Sequence, residues 1–450
     1  MIFTRDKRFY STLLLLALPI ALQNLITFSV GLCDSLMIGQ LGDDAISGVY
    51  MGGQIQILLQ VFSGGIEGAM LILSAQYWGA KNTESIRRIT AFGLKFTFAF
   101  SVLVSLVCAI FPTKVISLFT RDEKIMESGA EYLGVLAFSF VFFCLTQAFI
   151  ASMRSVESAH VGLIVSSISL AVNASLNYLL IFGKLGLPEL GIKGAAIATV
   201  VSRVLELLAV LVYVLLVDKK LRFRIRYLFV RDRALLRDFI KYGLPIMGGQ
   251  LIWAANTLSA SAIMGRLPGA GVVTALSLAN TLNNLSYVVM NGMSGAVGII
   301  TGKTIGEGRV EKIKEYSYTT QIIFLILGVI TGLTLQAIKA PYISLYNISP
   351  EAAEESVRLI NVLSFTIIGT CYQAACLFGL VKSGGDVGFV MKNDFIFIFF
   401  IVIPSALLAS YFGAPAFLVF LFLKSDQILK CFVAAVKINR FNWIKRLTKQ

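Results

Sequence analysis

The chain has 450 residues, of which 57% are hydrophobic and 14% charged, with a mean hydropathy of +0.80. A soluble domain carries about 25% charged residues, so this composition excludes a large soluble enzyme, a disordered chain and a disulfide scaffold. What remains is a multi-span membrane protein. The formal net charge is +14, but the basic residues fall between apolar stretches rather than along a face interleaved with aromatics, which argues against nucleic acid as a partner.

The opening MIFTRDKRFY, followed by STLLLLALPI, has the basic-then-apolar order of a signal peptide. Its apolar run continues from Ser11 to Cys33, longer than a signal core and without a small-x-small cleavage site, so a retained first span is expected. Pro19 lies inside this run and lacks an amide donor, which predicts a kink. Uncharged windows of spanning length follow at Ala45–Ile66, Phe96–Thr113, Tyr132–Met153 and Ser158–Gly183, and a sixth span near Ile192–Val217 contains Arg203 and Glu206. After the basic stretch Asp218–Lys241 the windows resume at Tyr242–Gly265, Leu267–Gly302, Tyr316–Ile338, Leu359–Val381 and Phe395–Leu423. The last is too long for one span and breaks at Gly413-Ala414-Pro415. At roughly 20 residues per helical span the chain accommodates about twelve. Helices satisfy their own backbone polar groups in lipid, and the ten-residue alternation of a membrane barrel is absent.

Lys and Arg placement sets the expected orientation. One set of connecting segments, with both ends of the chain and Lys449, holds 26 of them, while the opposite set, with Arg121, holds 7. Both termini are therefore expected in the cytoplasm of a multi-pass protein of the cell (plasma or inner) membrane. The chain also matches itself at an offset near 227. LPI at Leu18–Ile20 faces LPI at Leu244–Ile246, IGQLG at Ile38–Gly42 faces MGRLP at Met264–Pro268, ISLF at Ile116–Phe119 faces ISLY at Ile343–Tyr346, and MRS at Met153–Ser155 faces VKS at Val381–Ser383. The expected fold is an all-α membrane protein of twelve transmembrane helices in two pseudo-symmetric six-helix lobes, 1–217 and 242–450. A basic cytoplasmic linker, 218–241, joins them. Six spans per lobe is an even number, so the repeats are parallel, as in transporters that work by alternating access.

An ionisable side chain inside a span costs about 2.5–3.5 kcal/mol on insertion scales, which makes each one a functional candidate. Asp34 in FSVGLCDSLMIGQLG has no cationic residue near it in sequence. It can take up a proton, be kept ionised by Na⁺ or an organic cation, or serve as a hydrogen-bonded structural carboxylate. Its counterpart in the second repeat is Ala260, so the acid breaks the symmetry. Asn173 and Asn177, spaced i, i+4, share one helical face, and Thr199 follows on the next span among small residues. They can complete a coupling-cation site with Asp34 or act as interhelical glue. Arg203 with Glu206 and Asp426 with Lys430 can neutralise each other along their helices. Glu67, Glu206, Asp386 and Asp394 are secondary candidates, with Lys392 the basic residue nearest Asp394 in sequence. Trp253 can stack on an organic cation or anchor the chain at the interface.

The six cysteines lie in apolar stretches without metal-ligand spacing, and the single histidine, His160, cannot form a cluster. No G-x-x-x-x-G-K-[ST], H-E-x-x-H or G-x-S-x-G motif occurs, and no soluble stretch is long enough for a nucleotide-binding domain. An enzyme and an ATP-driven pump are both disfavoured, no cofactor is expected, and energy should come from an ion gradient.

Two sets of six spans, with ALPI and GLCDSLMIGQLGDDAISGV in the first span, LNYLLIFG and LGIKGAAIATV around spans five and six, and LVKSGGDVGFVMKND after span ten, resemble the multidrug and toxic compound extrusion (MATE) family along nearly the whole chain. The resemblance implies a secondary antiporter that exports cationic, amphipathic organic compounds in exchange for H⁺ or Na⁺ as its two lobes rock. It implies that Asp34 is the first-span aspartate of cation coupling, accompanied by Asn173 and Thr199, and that Asp386 matches the acidic residue after span ten. Two positions depart from the family pattern. Asn177 stands where some branches carry a second aspartate, and the Trp253 region lacks the seventh-span glutamate of another branch. Either Asp34 works alone or Glu67, Glu206 or Asp394 supplies the second acid. The expected partners are small-molecule substrates and the bilayer, and the expected state is a monomer. The alternative is a lipid or lipid-linked oligosaccharide flippase of related architecture.

Overall fold

The computed structural model describes residues 3–41, 43–120, 122–268, 271–346 and 348–448, with side chains for all of these but 43–45. Gly42, Arg121 and Lys449, which entered the repeat and the charge count, lie outside the described residues.

Every regular element among the described residues is helical. In chain order the helices are α1 (Lys7–Ile38), α2 (Asp43–Gly79), α3 (Thr83–Ile110), α4 (Pro112–Ile116), α5 (Glu123–Leu136), α6 (Ser139–Ser155), α7 (His160–Ile181), α8 (Gly191–Val212), α9 (Arg233–Gly265), α10 (Val272–Gly306), α11 (Val310–Ile343), α12 (Pro350–Gln373), α13 (Val387–Phe397), α14 (Ile403–Tyr411), α15 (Ala416–Leu423) and α16 (Asp426–Asn439). Three π-helical stretches, Tyr213–Val217, Ala374–Lys382 and Ile398–Val402, prolong α8, prolong α12 and join α13 to α14. Nine helical segments among the described residues are long and apolar enough to cross a membrane, and α5 with α6 makes a tenth when taken as one span bent by 52°. The other two segments of the expected twelve are α9 and the pair α15–α16, whose interiors are more polar: Gln250 and Asn256 in one, Asp426, Gln427 and Lys430 in the other.

Local sequence explains where several helices start. Asn82 accepts the amide of Ser85 at 3.0 Å, and Asp122 accepts those of Lys124 and Ile125, so α3 and α5 begin on side-chain caps. Ser349 caps α12 just before Pro350, whose missing amide costs nothing in the first turn. The bend in the fourth span was not expected from the uncharged window Tyr132–Met153. Hydroxyls satisfy the carbonyls released there: Ser139 donates to Leu136 O and Ser105, from α3, to Ala137 O, each at 2.6 Å. At Pro19, α1 runs on as one helix.

The chain forms two compact units, one of residues 22–243 and one of residues 1–21 with 244–450. In sequence, the changeovers fall two residues after Pro19 and one residue before Pro245, at the two LPI motifs. The first unit centres on Leu59, Ile116, Leu133, Leu136, Phe140 and Ile181. In the second unit Phe324, Leu359, Ile360, Leu363 and Val381 are sealed from solvent. Outward-facing side chains are apolar in both: Leu103, Leu106 and Ile110 on α3, and Ile326, Ile330 and Leu333 on α11. So large an exposed apolar surface is stable against lipid.

The expected linker is only partly a linker. Its last residues, from Arg233, are the first turns of α9, and the rest is a strap docked on the first unit. Leu221, Phe223 and Tyr227 are buried, while Arg222, Arg224, Arg226 and Phe229 face outward. Arg87 donates to Leu221 O at 2.6 Å and to the Tyr227 hydroxyl at 3.0 Å, and Arg88 pairs with Asp232 at 2.9 Å. Lys220 donates to the carbonyls of Val156 and Glu157. Asp232 accepts the amide of Leu235, which with Arg88 holds its carboxyl below the ordinary value.

Candidate functional site

Within the first unit, α1, α7 and α8 bring together the four residues singled out by sequence. Asn177 donates its Nδ2 to Asp34 Oδ1 and, at 3.3 Å, to Asn173 Oδ1. Asn173 in turn donates to Thr199 Oγ1 at 3.4 Å, and Thr199 donates to Ala195 O one turn earlier on α8. Asn173 and Asn177 are buried, and Asp34 is half-buried. The i, i+4 spacing stacks the two amides on one face of α7. Gly194 lets α8 approach closely enough for Thr199 to meet them, since a Cβ there would lie 2.5 Å from Leu180 O.

The chain of amides leaves one atom unspent. Asn177 Oδ1 is buried and has no hydrogen-bond partner. An unsatisfied carbonyl oxygen in such a place costs about 1–3 kcal/mol unless something binds it. With Asp34, the Asn173 carbonyl and the Thr199 hydroxyl, it makes an all-oxygen donor set of the kind that suits a hard cation. These groups fit Na⁺, and the carboxylate alone fits H⁺. Among the described residues no group of three or more His, Cys, Asp or Glu is arranged to hold a metal ion.

Arg203 lies within electrostatic reach of Asp34, but its Nη1 holds Glu206 Oε2 at 2.6 Å and its guanidinium sits 4.9 Å from the Phe143 ring centroid. Glu206 is buried, pairs with Arg203 and accepts from Ser169. The Tyr132 phenol of α5, which sequence reasoning did not single out, is buried within reach of the charges of Asp34 and Arg203. Nothing in its sequence context distinguishes it from a core tyrosine.

The remaining candidates stand elsewhere. Glu67 on α2 interacts electrostatically with Arg154 of α6, which donates to Gln23 Oε1 at 2.7 Å. In the second unit Asp394 meets Lys430 at 2.9 Å, and Lys430 also holds Asp426 at 3.0 Å. Lys392, the neighbour in sequence, is exposed on another face of α13. Asp386 lies in the turn before α13 and bridges Lys437 at 2.6 Å and Lys445 at 2.7 Å. Burial opposes its charge, but the two lysines prevail and hold its carboxyl below the ordinary value. Trp253 is half exposed on α9.

The family profile for MatE matches residues 19–179 and 245–408. The chain is 26% identical over 344 residues to a probable multidrug resistance protein NorM of Halalkalibacterium halodurans, covering 76% of this chain and 74% of that one. It is 25% identical over 409 residues to the probable multidrug resistance protein YoeA of Bacillus subtilis, covering 88% and 86%. Among solved structures, the eukaryotic MATE transporter AtDTX14 superposes with a TM-score of 0.84 at 20% identity, over 98% of this chain and 97% of that one. A MOP superfamily transporter from Pyrococcus furiosus does so with a TM-score of 0.86 at 17% identity, over 97% and 98%. The relatives are named as multidrug resistance proteins and the solved structures as transporters, none of these as an enzyme, and the twelve-helix, two-lobe architecture is that of the solved structures. This chain is a multi-pass membrane protein that belongs to the MATE family of multidrug efflux transporters.

Proposed function

We propose that the chain is a secondary antiporter that exports amphipathic organic cations in exchange for H⁺ or Na⁺, with Asp34 as the coupling acid. The observation that supports this most is the unpartnered Asn177 Oδ1 beside a carboxylate that shares no direct salt bridge among the described residues. A cation entering there gains the carboxylate and the stranded carbonyl together. When it leaves, Asn177 and Asn173 relax back onto their mutual hydrogen bond. Glu206 and Asp394 are occupied by Arg203 and Lys430, and Glu67 stands apart on α2 in the field of Arg154, which leaves Asp34 to work as the single coupling acid of this site. Exchange would follow from rocking of the two lobes in the cell membrane, with both termini cytoplasmic and the chain acting as a monomer.

The test is reconstitution into proteoliposomes with Na⁺ and pH gradients imposed separately while ethidium flux is followed. Wild-type protein should move ethidium against one gradient or both. Asp34→Asn should lose gradient-driven flux at least a hundredfold while inserting and purifying normally. Unchanged flux in that variant sinks the assignment.

A further inference from the structure

The second unit holds a row of five alternating charges, in which Asp426 and Lys430 are buried and Lys382, Asp394 and Lys424 half-buried. Asp394 and Asp426 both grip Lys430, at 2.9 and 3.0 Å. Beyond this triad, Lys382 lies within electrostatic reach of Asp394, and Lys424 within reach of Asp426. The order in charge is Lys382, Asp394, Lys430, Asp426, Lys424. Lys382 ends the span that carries α12, next to the turn in which Asp386 meets Lys437 and Lys445 of the C-terminal segment. That contact puts the Asp386 turn and the C-terminal end of α16 at the same end of the unit. Asp394 lies seven residues into α13, about 10 Å of helix rise from that end. Lys430 lies nine residues before Asn439, about 14 Å in, and Asp426, where α16 starts, is about 6 Å deeper still, with Lys424 two residues before it. The row therefore climbs from one end of the unit into its middle.

Its charges do not cancel. Both carboxylates are spent on Lys430, while Lys382 and Lys424 have neither an ion pair nor a hydrogen bond among the described residues. Each lies over a ring one turn back in sequence: Lys382 sits 5.8 Å from the Phe378 centroid and Lys424 5.5 Å from that of Phe420. An ammonium within or at the end of a span that shares no ion pair is a functional candidate. Unspent polar atoms occur on residues adjacent to the row in sequence. The Nδ2 of buried Asn393, beside Asp394, has nothing to donate to, and Ser425 Oγ, next to Lys424, has no partner. Gln427 Oε1, on the residue after Asp426, is an unspent acceptor, and Gln373 spends both bonds of its Nε2 on the carbonyls of Asp426 and Gln427. Free donors and surplus positive charge select an anion.

We propose that this column is a binding site for the carboxylate or phosphate group of an amphipathic anion, with Lys382 at its mouth and Lys424 with Ser425 at its inner end. Recognition of cargo here is distinct in sign from recognition at Asp34, so the protein would accept acids or zwitterions besides cations. The proposal extends the exporter reading, but binding needs no gradient and can be measured alone.

The test uses the purified full chain in neutral detergent with radiolabelled cholate at micromolar concentration, and cholate methyl ester as the uncharged control. Wild-type protein should bind cholate saturably. Lys424→Gln should weaken binding tenfold or more and Lys382→Gln severalfold, Lys424→Arg should stay within threefold of wild type, and the ester should not distinguish the variants. Displacement of cholate by added phosphatidylglycerol would support the same site with a lipid phosphate as its occupant. Lack of displacement, with the lysine dependence intact, would support a soluble acid. Elution of Lys424→Gln as a single symmetric peak on size exclusion establishes that it is folded, as expected when a half-buried charge without an ion pair is removed. Absence of saturable cholate binding by wild type, or equal affinity in folded Lys424→Gln, overturns the proposal. Failed ethidium flux with intact, lysine-dependent cholate binding would instead count against the exporter reading alone.

Discussion

Asn177 decides what Asp34 can do, because one amide both donates to the carboxylate and carries the stranded oxygen. Asn177→Ala removes both, and a hydrogen bond to a charged group is worth about 1.5–3 kcal/mol. Gradient-driven flux in that variant should fall by about tenfold or more, with residual activity that Asp34→Asn lacks, as measured in the proteoliposome assay. A second residue-scale outcome concerns acid sensitivity. Lys312 at 2.9 Å and the Tyr316 hydroxyl at 2.7 Å hold the Asp6 carboxyl down to about 2, from an ordinary 3.8. A carboxylate whose folded value is depressed stabilises the protein above its unfolded value, and that contribution disappears as pH falls from about 4 toward 2. Asp6 is partly exposed, so Asp6→Asn should cost about 1 kcal/mol, or roughly 1 °C in Tm at neutral pH, in a thermal melt. The variant's melting temperature should also change less between pH 5 and pH 3. At this scale the sequence was informative where spacing carried the geometry: Asn173 and Asn177 are one turn apart, and the face they share was legible. Asp394 was not, because its partner Lys430 lies 36 positions away while the local lysine, Lys392, points elsewhere.

Between elements, close approach is set by small residues. Gly194 gives α8 its seat against Leu180 of α7, with backbone atoms where a methyl would go. Backbone cannot rotate out of the way as a flexible side chain can, so Gly194→Ala should separate Asn173 from Thr199. Overpacking of this kind costs about 1–3 kcal/mol, and both melting temperature and coupled flux should drop in the same preparation. The strap is a second case. Its seating depends on Arg87, which satisfies a backbone carbonyl and a tyrosine hydroxyl at once. With Arg87→Ala, trypsin should cut at Arg222, Arg224 or Arg226 about tenfold faster, the factor expected from roughly 1.4 kcal/mol of lost local stability. Composition and positive charge predicted a basic cytoplasmic linker there. The docking was hidden because it depends on which carbonyls Arg87 and Lys220 can reach, and hydrophobic periodicity says nothing about that. The bend in the fourth span was hidden for a similar reason: Ser105 and Ser139 supply its compensation, and Ser105 is on a different helix.

At the level of the whole molecule, the apolar windows and the repeat were enough to specify twelve helices in two lobes, because lipid leaves the backbone few alternatives. Orientation rests on the basic loops and can be measured directly. In a cysteine-free background, Arg226→Cys should react with a membrane-impermeant maleimide only after cells are permeabilised, and Lys184→Cys should react in intact cells. The reverse pattern would invert the topology. The docked strap also bears on how the protein can be divided. A fragment ending at Val217, where the hydrophobic window stops, would strip Leu221, Phe223 and Tyr227 from their seats and leave the carbonyls of Val156 and Glu157 without the lysine that covers them. Such a truncation should aggregate when expressed alone. A fragment carried through Gly243 would keep its own lid, which makes that position, and not the edge of the oily stretch, the natural place to cut the gene.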